Sequence, residues 1–223
     1  MSQPTEASLV AIKRLNHTIW SYRLKPEHYI AYQAGQYLQM HLPDSMPYYS
    51  IANAPSSGAY YDVHIRQSSA QLAPLWALGQ SVTLSLPYGQ CDLSHLQPQK
   101  PILFLAAGTG FVPIRAMIEQ LLYQSDTRRI ALYWGVANAD DLYDHTSLDN
   151  WQHALPRFRY IPHIAQFHQP GLITRVLADH PNDLKDWQIV MAGPFDLMYL
   201  MRDILLERGL MRQDLFSDAF EFE

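Results

Sequence analysis

An antiparallel β-barrel followed by a parallel-sheet α/β domain is the fold class that the sequence predicts, and three observations predict it. Short segments rich in β-branched and aromatic residues, several with clean alternation, crowd the first part of the chain. Beyond Leu96-Gln97-Pro98-Gln99 the pattern changes and strands alternate with helices, which means a parallel sheet covered on both sides. Just after that change, the stretch from Pro101 to Leu122, PILFLAAGTGFVPIRAMIEQLL, joins a continuous apolar run to a helix through Gly108-Thr109-Gly110. That is the form of a strand buried on both faces, a tight turn and a helix start.

In the first part, strands are predicted over Ser8–Leu15, Thr18–Leu24, Gln36–Leu42, Tyr48–Asn53, Tyr60–Arg66 and Val82–Leu86. Leu38, Met40 and Leu42 face one way and Tyr37, Gln39 and His41 the other; Tyr61, Val63 and Ile65 oppose Asp62, His64 and Arg66. Ala34-Gly35, Pro43-Asp44, Pro55-Ser56-Ser57-Gly58 and Pro87-Tyr88-Gly89 supply the turns. Short strands so closely spaced suit an antiparallel barrel, with Ser69–Leu78 as a short helix across one end. The linker near Pro98 sets the boundary, giving residues 1–98 and 99–223 as the two domains.

In the second part, strand Ile102–Ala107 leads into a helix carrying Ile114, Met117, Ile118, Leu121 and Leu122 at helical spacing. Pro113 suits its first turn, where an amide hydrogen has no intrahelical partner. A turn without side chains lets a pyrophosphate approach the backbone, and amides at the helix start, aligned with its dipole, hold negative charge. Pro113 stands where the third glycine of GxGxxG would fall, so the turn by itself is equally an ordinary strand-to-helix connection. Strand Arg129–Gly135 leads to a helix through Leu142–Trp151 with Asp140 or Asp141 as N-cap. Strand Arg159–Ala165 precedes helix Leu172–Asp179, and Gln188–Ala192 precedes Phe195–Arg208. Binding sites in such sheets lie beyond the carboxyl ends of the strands, where Gly108-Thr109-Gly110, Gly135 and Gly193-Pro194 all fall, and that convergence favours a binding site.

Composition narrows the function classes. The formal net charge of -5 gives no general attraction to nucleic acid or anionic membrane. The start, MSQPTEASLV, lacks a basic region before an apolar core, and no apolar run is long enough for a membrane span, so a cytoplasmic protein is expected. The single cysteine, Cys91, excludes an internal disulfide and is too few for the four thiolates of a plant-type iron-sulfur cluster, so any such centre would sit on a partner. Among the ten histidines, His163 and His168 are five apart in a strand-to-loop region, which is not the helical spacing of a zinc pair, and no metal site is expected. The Gly-x-Ser-x-Gly elbow of hydrolases is absent.

Taken in order, Tyr49-Ser50-Ile51-Ala52, Leu86-Pro87-Tyr88-Gly89, AAGTGFVPIRAM, LYWGVANADDLYD, MAGPFDLM and the terminal FSDAFEFE resemble the ferredoxin-NADP reductase superfamily, and within it the compact bacterial NAD(P)H-flavin reductases. The resemblance covers nearly the whole chain. It implies an N-terminal flavin-binding barrel, a C-terminal NAD(P)-binding domain, and hydride passing across the cleft between them. Residue by residue, Tyr49 would pack on the flavin isoalloxazine and Ser50 would hydrogen-bond near its N5. The same motifs bring Ile51, Ala52 and Gly89 to the flavin, with Arg66 of the neighbouring strand as a further flavin contact, and Gly108, Thr109, Gly110, Pro113 and Gly135 to the dinucleotide. Gly193 and Pro194 match the loop beside the nicotinamide, and Phe220 the C-terminal aromatic shield over the flavin; Phe216, Phe220 and Phe222 alternate as on a last strand. Three departures stand out: Pro47 where the family has an arginine for flavin phosphate, Ala192 where many members have a cysteine, and Ala137 where an arginine is common.

The resemblance implies an oxidoreductase that transfers hydride from NADH or NADPH to a flavin (FAD, FMN or riboflavin) and electrons onward to an acceptor. The cofactors carry the chemistry, so the protein has to stack two rings, exclude water and hold one hydrogen bond at N5, for which Ser50 is the catalytic candidate. Without the resemblance Ser50 reads as a solvated strand serine and Tyr49 as core. One alternative is a reductase with bound FAD that serves a separate iron-sulfur or oxygenase partner; another is a non-catalytic flavin- or nucleotide-sensing subunit. The segment Gly135–Asp144 has no Arg or Lys and carries Asp140, Asp141 and Asp144, which predicts NADH over NADPH. Pro47 predicts a weakly held flavin, with Arg66 the side chain able to replace the missing guanidinium.

Overall fold

The computed structural model of the chain describes residues 2–68, 75–165 and 171–222. Its first half is an antiparallel sheet of β1 (Gln3–Arg14), β2 (Ile19–Pro26), β3 (Tyr37–His41), β4 (Tyr48–Ser50), β5 (Tyr61–Arg66) and β6 (Ser81–Tyr88), in the order β4-β3-β6-β1-β2-β5. The two edges meet at a bridge between Ile51 and Val63, where Ala52 N donates to Asp62 O at 2.7 Å, so the sheet curls into a barrel. The alternation that predicted the strands fills it: Tyr22, Leu38, Met40, Tyr61, Val63, Leu84 and Leu86 are all buried inside. β1 begins five residues earlier than its apolar pattern, because Gln3–Ser8 pairs with β6 before the strand bends to pair with β2. Of the short helix expected over Ser69–Leu78, positions 69–74 lie outside the described residues, and 75–78 contain bends and a turn.

The second half alternates β7 (Ile102–Ala107), α1 (Phe111–Tyr123), β8 (Ile130–Val136), α2 (His145–Ala154), β9 (Phe158–Ile164), α3 (Leu172–Asp179), β10 (Gln188–Ala192), α4 (Phe195–Glu207) and β11 (Leu215–Phe216). All strands are parallel, in the order β11-β10-β7-β8-β9. Alternate side chains serve two cores. Ile102, Phe104 and Ala106 pack with Phe111, Trp134 and Trp151 on the α1/α2 face, and Leu103 and Leu105 pack with Tyr133, Val176 and Met198 on the α3/α4 face. Ile19 and Ala34 of the barrel half are buried in the first of these cores, so the two sheets share apolar packing. Arg115 of α1 adds a polar tie, donating to the Ala52 carbonyl at 2.7 Å and to Asp144 Oδ2 at 2.6 Å.

Two local expectations are corrected. The helix expected from Leu142 with Asp140 or Asp141 as its cap starts at His145, with Asp144 at the N-cap in the left-handed conformation, φ 61°. Residues Ala139–Asp141 form a separate 3-10 turn, because the Asp141 carboxylate is drawn to Arg66 instead of to the helix amides. The final strand ends at Phe216, and Asp218–Phe222 form a 3-10 helix, so Phe216, Phe220 and Phe222 do not alternate on one strand. The Ser217 carbonyl accepts from Phe220 N at 3.1 Å, and the Ser217 hydroxyl accepts from Ala219 N at 3.3 Å, which turns the chain.

Candidate active-site cleft

The chain runs β7 to β8 to β9 in one direction across the sheet, then returns to place β10 on the other side of β7. Strand order therefore reverses between β7 and β10, and a crevice opens there beyond their carboxyl ends. The two turns that follow these strands, Gly108-Thr109-Gly110 and Gly193-Pro194, lie in that crevice. With Pro113, Gly135 and, from the barrel, Ser50 and Arg66, they line one cleft of about 1000 Å³. Its volume is at the upper end of ordinary cofactor sites.

Two glycines in the first turn serve different purposes. Gly108 takes φ +56°, a left-handed conformation that costs other residues about 1–2 kcal/mol, and a Cβ built on it meets nothing within 4 Å. Its carbonyl accepts from Trp134 Nε1 at 2.9 Å, and Trp134 stacks on Phe111 at 3.9 Å, which pins the turn to the sheet. A Cβ on Gly110 would lie 2.0 Å from the Ala192 carbonyl oxygen. Gly110 is therefore required by the close approach of α1 to the end of β10. Gly135 lies between Ala107 and His163 in the strand register, and all three line the cleft.

On the barrel wall, strand register sorts the tyrosines. Tyr49 is paired with fully buried Leu38, so it shares the inward face; it packs against the barrel core, burial pushes its phenol pKa up, and it is not part of the cleft lining. Ser50 is paired with Tyr37, and Tyr37 lies against Tyr48 at 5.5 Å and Tyr88 at 5.8 Å. The aromatic surface on Ser50's own face is thus Tyr37, Tyr48 and Tyr88. Ile51 and Ala52 are fully buried, and Ala52 acts through its carbonyl on Arg115. Gly89 lies outside the lining, its carbonyl accepting from Gln36 Nε2 at 2.8 Å. Phe220 packs against Tyr199, with Arg212 at 4.4 Å and Arg202 at 5.7 Å from its ring, again away from the cleft. Phe222, also outside the lining, stacks at 5.3 Å on Phe195, which is part of it.

Four ionisable or reactive side chains that the sequence did not assign to the site join the lining: Cys91, Asp141, His163 and Asp218. Asp218 is the most perturbed of the carboxyls: burial, reinforced by the charges of Glu221 and Asp92, pushes its pKa up to about 7. Cys91 N donates to Asp218 Oδ1 at 3.4 Å, and burial, with Asp218 next, pushes the Cys91 thiol well above its ordinary value. Asp218 lies in the FSDAFEFE motif, the one feature of the sequence that marks it. His163 is held below its ordinary value by burial and by Arg175; His168 lies outside the described residues. Among the described residues no cluster of three or more His, Cys, Asp or Glu is placed to hold a metal ion. No helix among them is long and apolar enough to cross a membrane.

Residues 104–203 match the family described as oxidoreductase NAD-binding domain. A probable flavin reductase of Vibrio harveyi is 27% identical over 96% of this chain and 98% of its own length. Reductase component 2 of terephthalate 1,2-dioxygenase from a Comamonas species is 30% identical over 85% of this chain. The structure of a cytochrome P450 reductase from Amycolatopsis superposes with a TM-score of 0.87 at 21% identity, over 97% of this chain and 69% of that one. The chain is thus similar over nearly its whole length to flavin reductases, and similar to reductase components of oxygenase systems. Its barrel and parallel sheet are the two halves of the fold seen in the Amycolatopsis reductase. The chain spans 59% of the length of the terephthalate reductase component and 64% of another curated relative, a dehydrase reductase of Yersinia pestis.

Proposed function

We propose that the chain is a cytoplasmic NAD(P)H-dependent flavin reductase, with residues 1–98 holding flavin and residues 99–223 holding the dinucleotide. The observation that carries this reading is the convergence in one cleft of Ser50 from the barrel and of both turns at the switch point, Gly108–Gly110 and Gly193-Pro194. The residues present fit the two cofactors. Open backbone at Gly108 leaves room for a pyrophosphate beside the start of α1, and the cleft is large enough for two stacked rings. When bound, the nicotinamide and flavin supply the hydride donor and acceptor. The protein's part is to orient and to exclude water. Gly193-Pro194 and Ala192 would form the floor under one ring, Ser50 Oγ would offer a hydrogen bond to the other from the barrel side, and Tyr37 would bound that face. Asp218, neutral below about pH 7, keeps a second charge out of the same space.

The purified chain should oxidise NADH or NADPH when riboflavin, FMN or FAD is added, followed as loss of nicotinamide absorbance. No oxidation with any of the three flavins rejects the proposal. A second reading, a reductase that keeps FAD and passes electrons to a separate oxygenase or iron-sulfur partner, is favoured by the apolar side chains exposed at the cleft rim: Phe195 is 46% and Leu200 55% exposed, and both line the cleft. A purified chain that is yellow with FAD, and slow toward free flavins, supports that reading instead.

A further inference from the structure

Arg66 ends β5 on the barrel side of the cleft, and Asp141 closes the Ala139–Asp141 turn on the sheet side. Arg66 Nη1 donates to Asp141 Oδ1 at 3.0 Å, an ion pair that bridges the two walls. Arg66 is the only arginine or lysine among the described residues that line the cleft, and segments 69–74 and 166–170 contain neither residue type. The carboxylate is fixed from its own side: Asn138 Nδ2 donates to Asp141 Oδ2 at 3.4 Å, and Asp141 N donates to the Asn138 carbonyl at 3.0 Å. Its side chain is 6% exposed against 43% for Arg66, so the acid is the fixed member and the guanidinium the one that faces an incoming ligand. Pro47 contributes no donor to the barrel wall.

We propose that Asp141 is a specificity-determining residue: by pairing across the cleft with Arg66, the one cation of its wall, it sets how tightly a flavin bearing a phosphate is held relative to riboflavin. This rests on the flavin reductase reading above. A guanidinium grips phosphate through charge-assisted, bidentate contacts, and it does so best when its charge is not already matched. With Asp141 in place, a phosphate approaching Arg66 either displaces the carboxylate or lies beside it as a like charge. The barrel phosphate contact is therefore muted at both positions: Pro47 has no charge and Arg66 has a resident partner. Arg66 belongs to the wall that carries Ser50, which assigns the phosphate to the flavin and not to the dinucleotide.

The test is isothermal titration of the full chain with riboflavin, FMN and NAD+, for wild type, Asp141→Asn, Arg66→Ala and the double variant. Asp141→Asn keeps the shape of the side chain and the Asn138 turn while releasing the guanidinium charge. Wild type should bind FMN and riboflavin within about threefold of each other. Asp141→Asn should tighten FMN by about tenfold or more, leave riboflavin and NAD+ unchanged, and lose the gain when Arg66→Ala is added. Arg66→Ala alone removes the resident partner of Asp141 and is the background against which the double variant is read. The proposal is overturned by an unchanged ratio in Asp141→Asn, by a gain for NAD+ in place of FMN, or by a gain that survives loss of Arg66. Failure of wild type to bind any flavin would reject the flavin reductase reading itself, a different result from these.

Discussion

Replacing Asp218 by Asn should flatten a pH dependence of stability that the wild-type protein carries. Burial, with Glu221 and Asp92 nearby, moves the carboxyl from an ordinary 3.8 to about 7. The folded state therefore holds the Asp218 proton more tightly than the unfolded chain does between about pH 4 and pH 7. As pH rises through that window the unfolded state gives up its proton first, and stability falls by at most about 1.4 kcal/mol per pH unit. Above about pH 7 both states are ionised and the loss levels off. A shift of about three units corresponds to about 4 kcal/mol in full, of which about 2 to 3 kcal/mol falls between pH 5 and pH 8. Asparagine carries no proton to lose, so wild type and Asp218→Asn should differ most in their favour for wild type at pH 5, and the gap should shrink or reverse by pH 8. Urea unfolding of both proteins at pH 5, 6.5 and 8, with the linear extrapolation made at each pH, measures the gap. A gap that is the same at pH 5 and pH 8 refutes the burial argument for this carboxyl.

The remaining predictions are more local. Gly110→Ala should destabilise the fold by about 3 kcal/mol or more, since its Cβ would meet the Ala192 carbonyl oxygen at 2.0 Å, whereas Gly108→Ala should cost about 1–2 kcal/mol and act mainly on dinucleotide affinity; thermal unfolding and NADH titration of the two variants should show this contrast, and equal thermal stability would contradict it. Ser50→Ala should unfold at the wild-type temperature but slow flavin reduction about tenfold or more at saturating dinucleotide, as read by stopped flow, and a wild-type rate would mean that the hydroxyl is structural. NADH should be preferred to NADPH in kcat/KM. Asp141 and Asp144 are matched by Arg66 and Arg115, which leaves exposed Asp140 and the absence of any further Arg or Lys among the described residues that line the cleft as the basis, and a clear NADPH preference would overturn it.

What the sequence determined by itself is what short-range periodicity can encode. Helix Leu172–Asp179 and strand Gln188–Ala192 begin and end where the apolar pattern and its turn residues say, because each repeat depends only on neighbouring residues. The alternation of Leu38 and Met40, or of Tyr61, Val63 and Ile65, already named the barrel interior, and the placing of glycines after successive strands already named the end of the sheet where the cleft lies. The chemistry of that cleft depended on tertiary structure. Tyr49 turned inward because its partner across the ladder is Leu38, and register is a property of two strands. Gly110 owes its lack of a side chain to the Ala192 carbonyl, brought to it by the parallel return of β10. Arg66 found Asp141 from 75 residues away, and that pairing moved the start of α2 as well as the charge of the cleft. The Asp218 carboxyl was raised by burial against a turn 127 residues earlier in the chain, and desolvation is a sum over whatever segments the fold brings near, which no local pattern records.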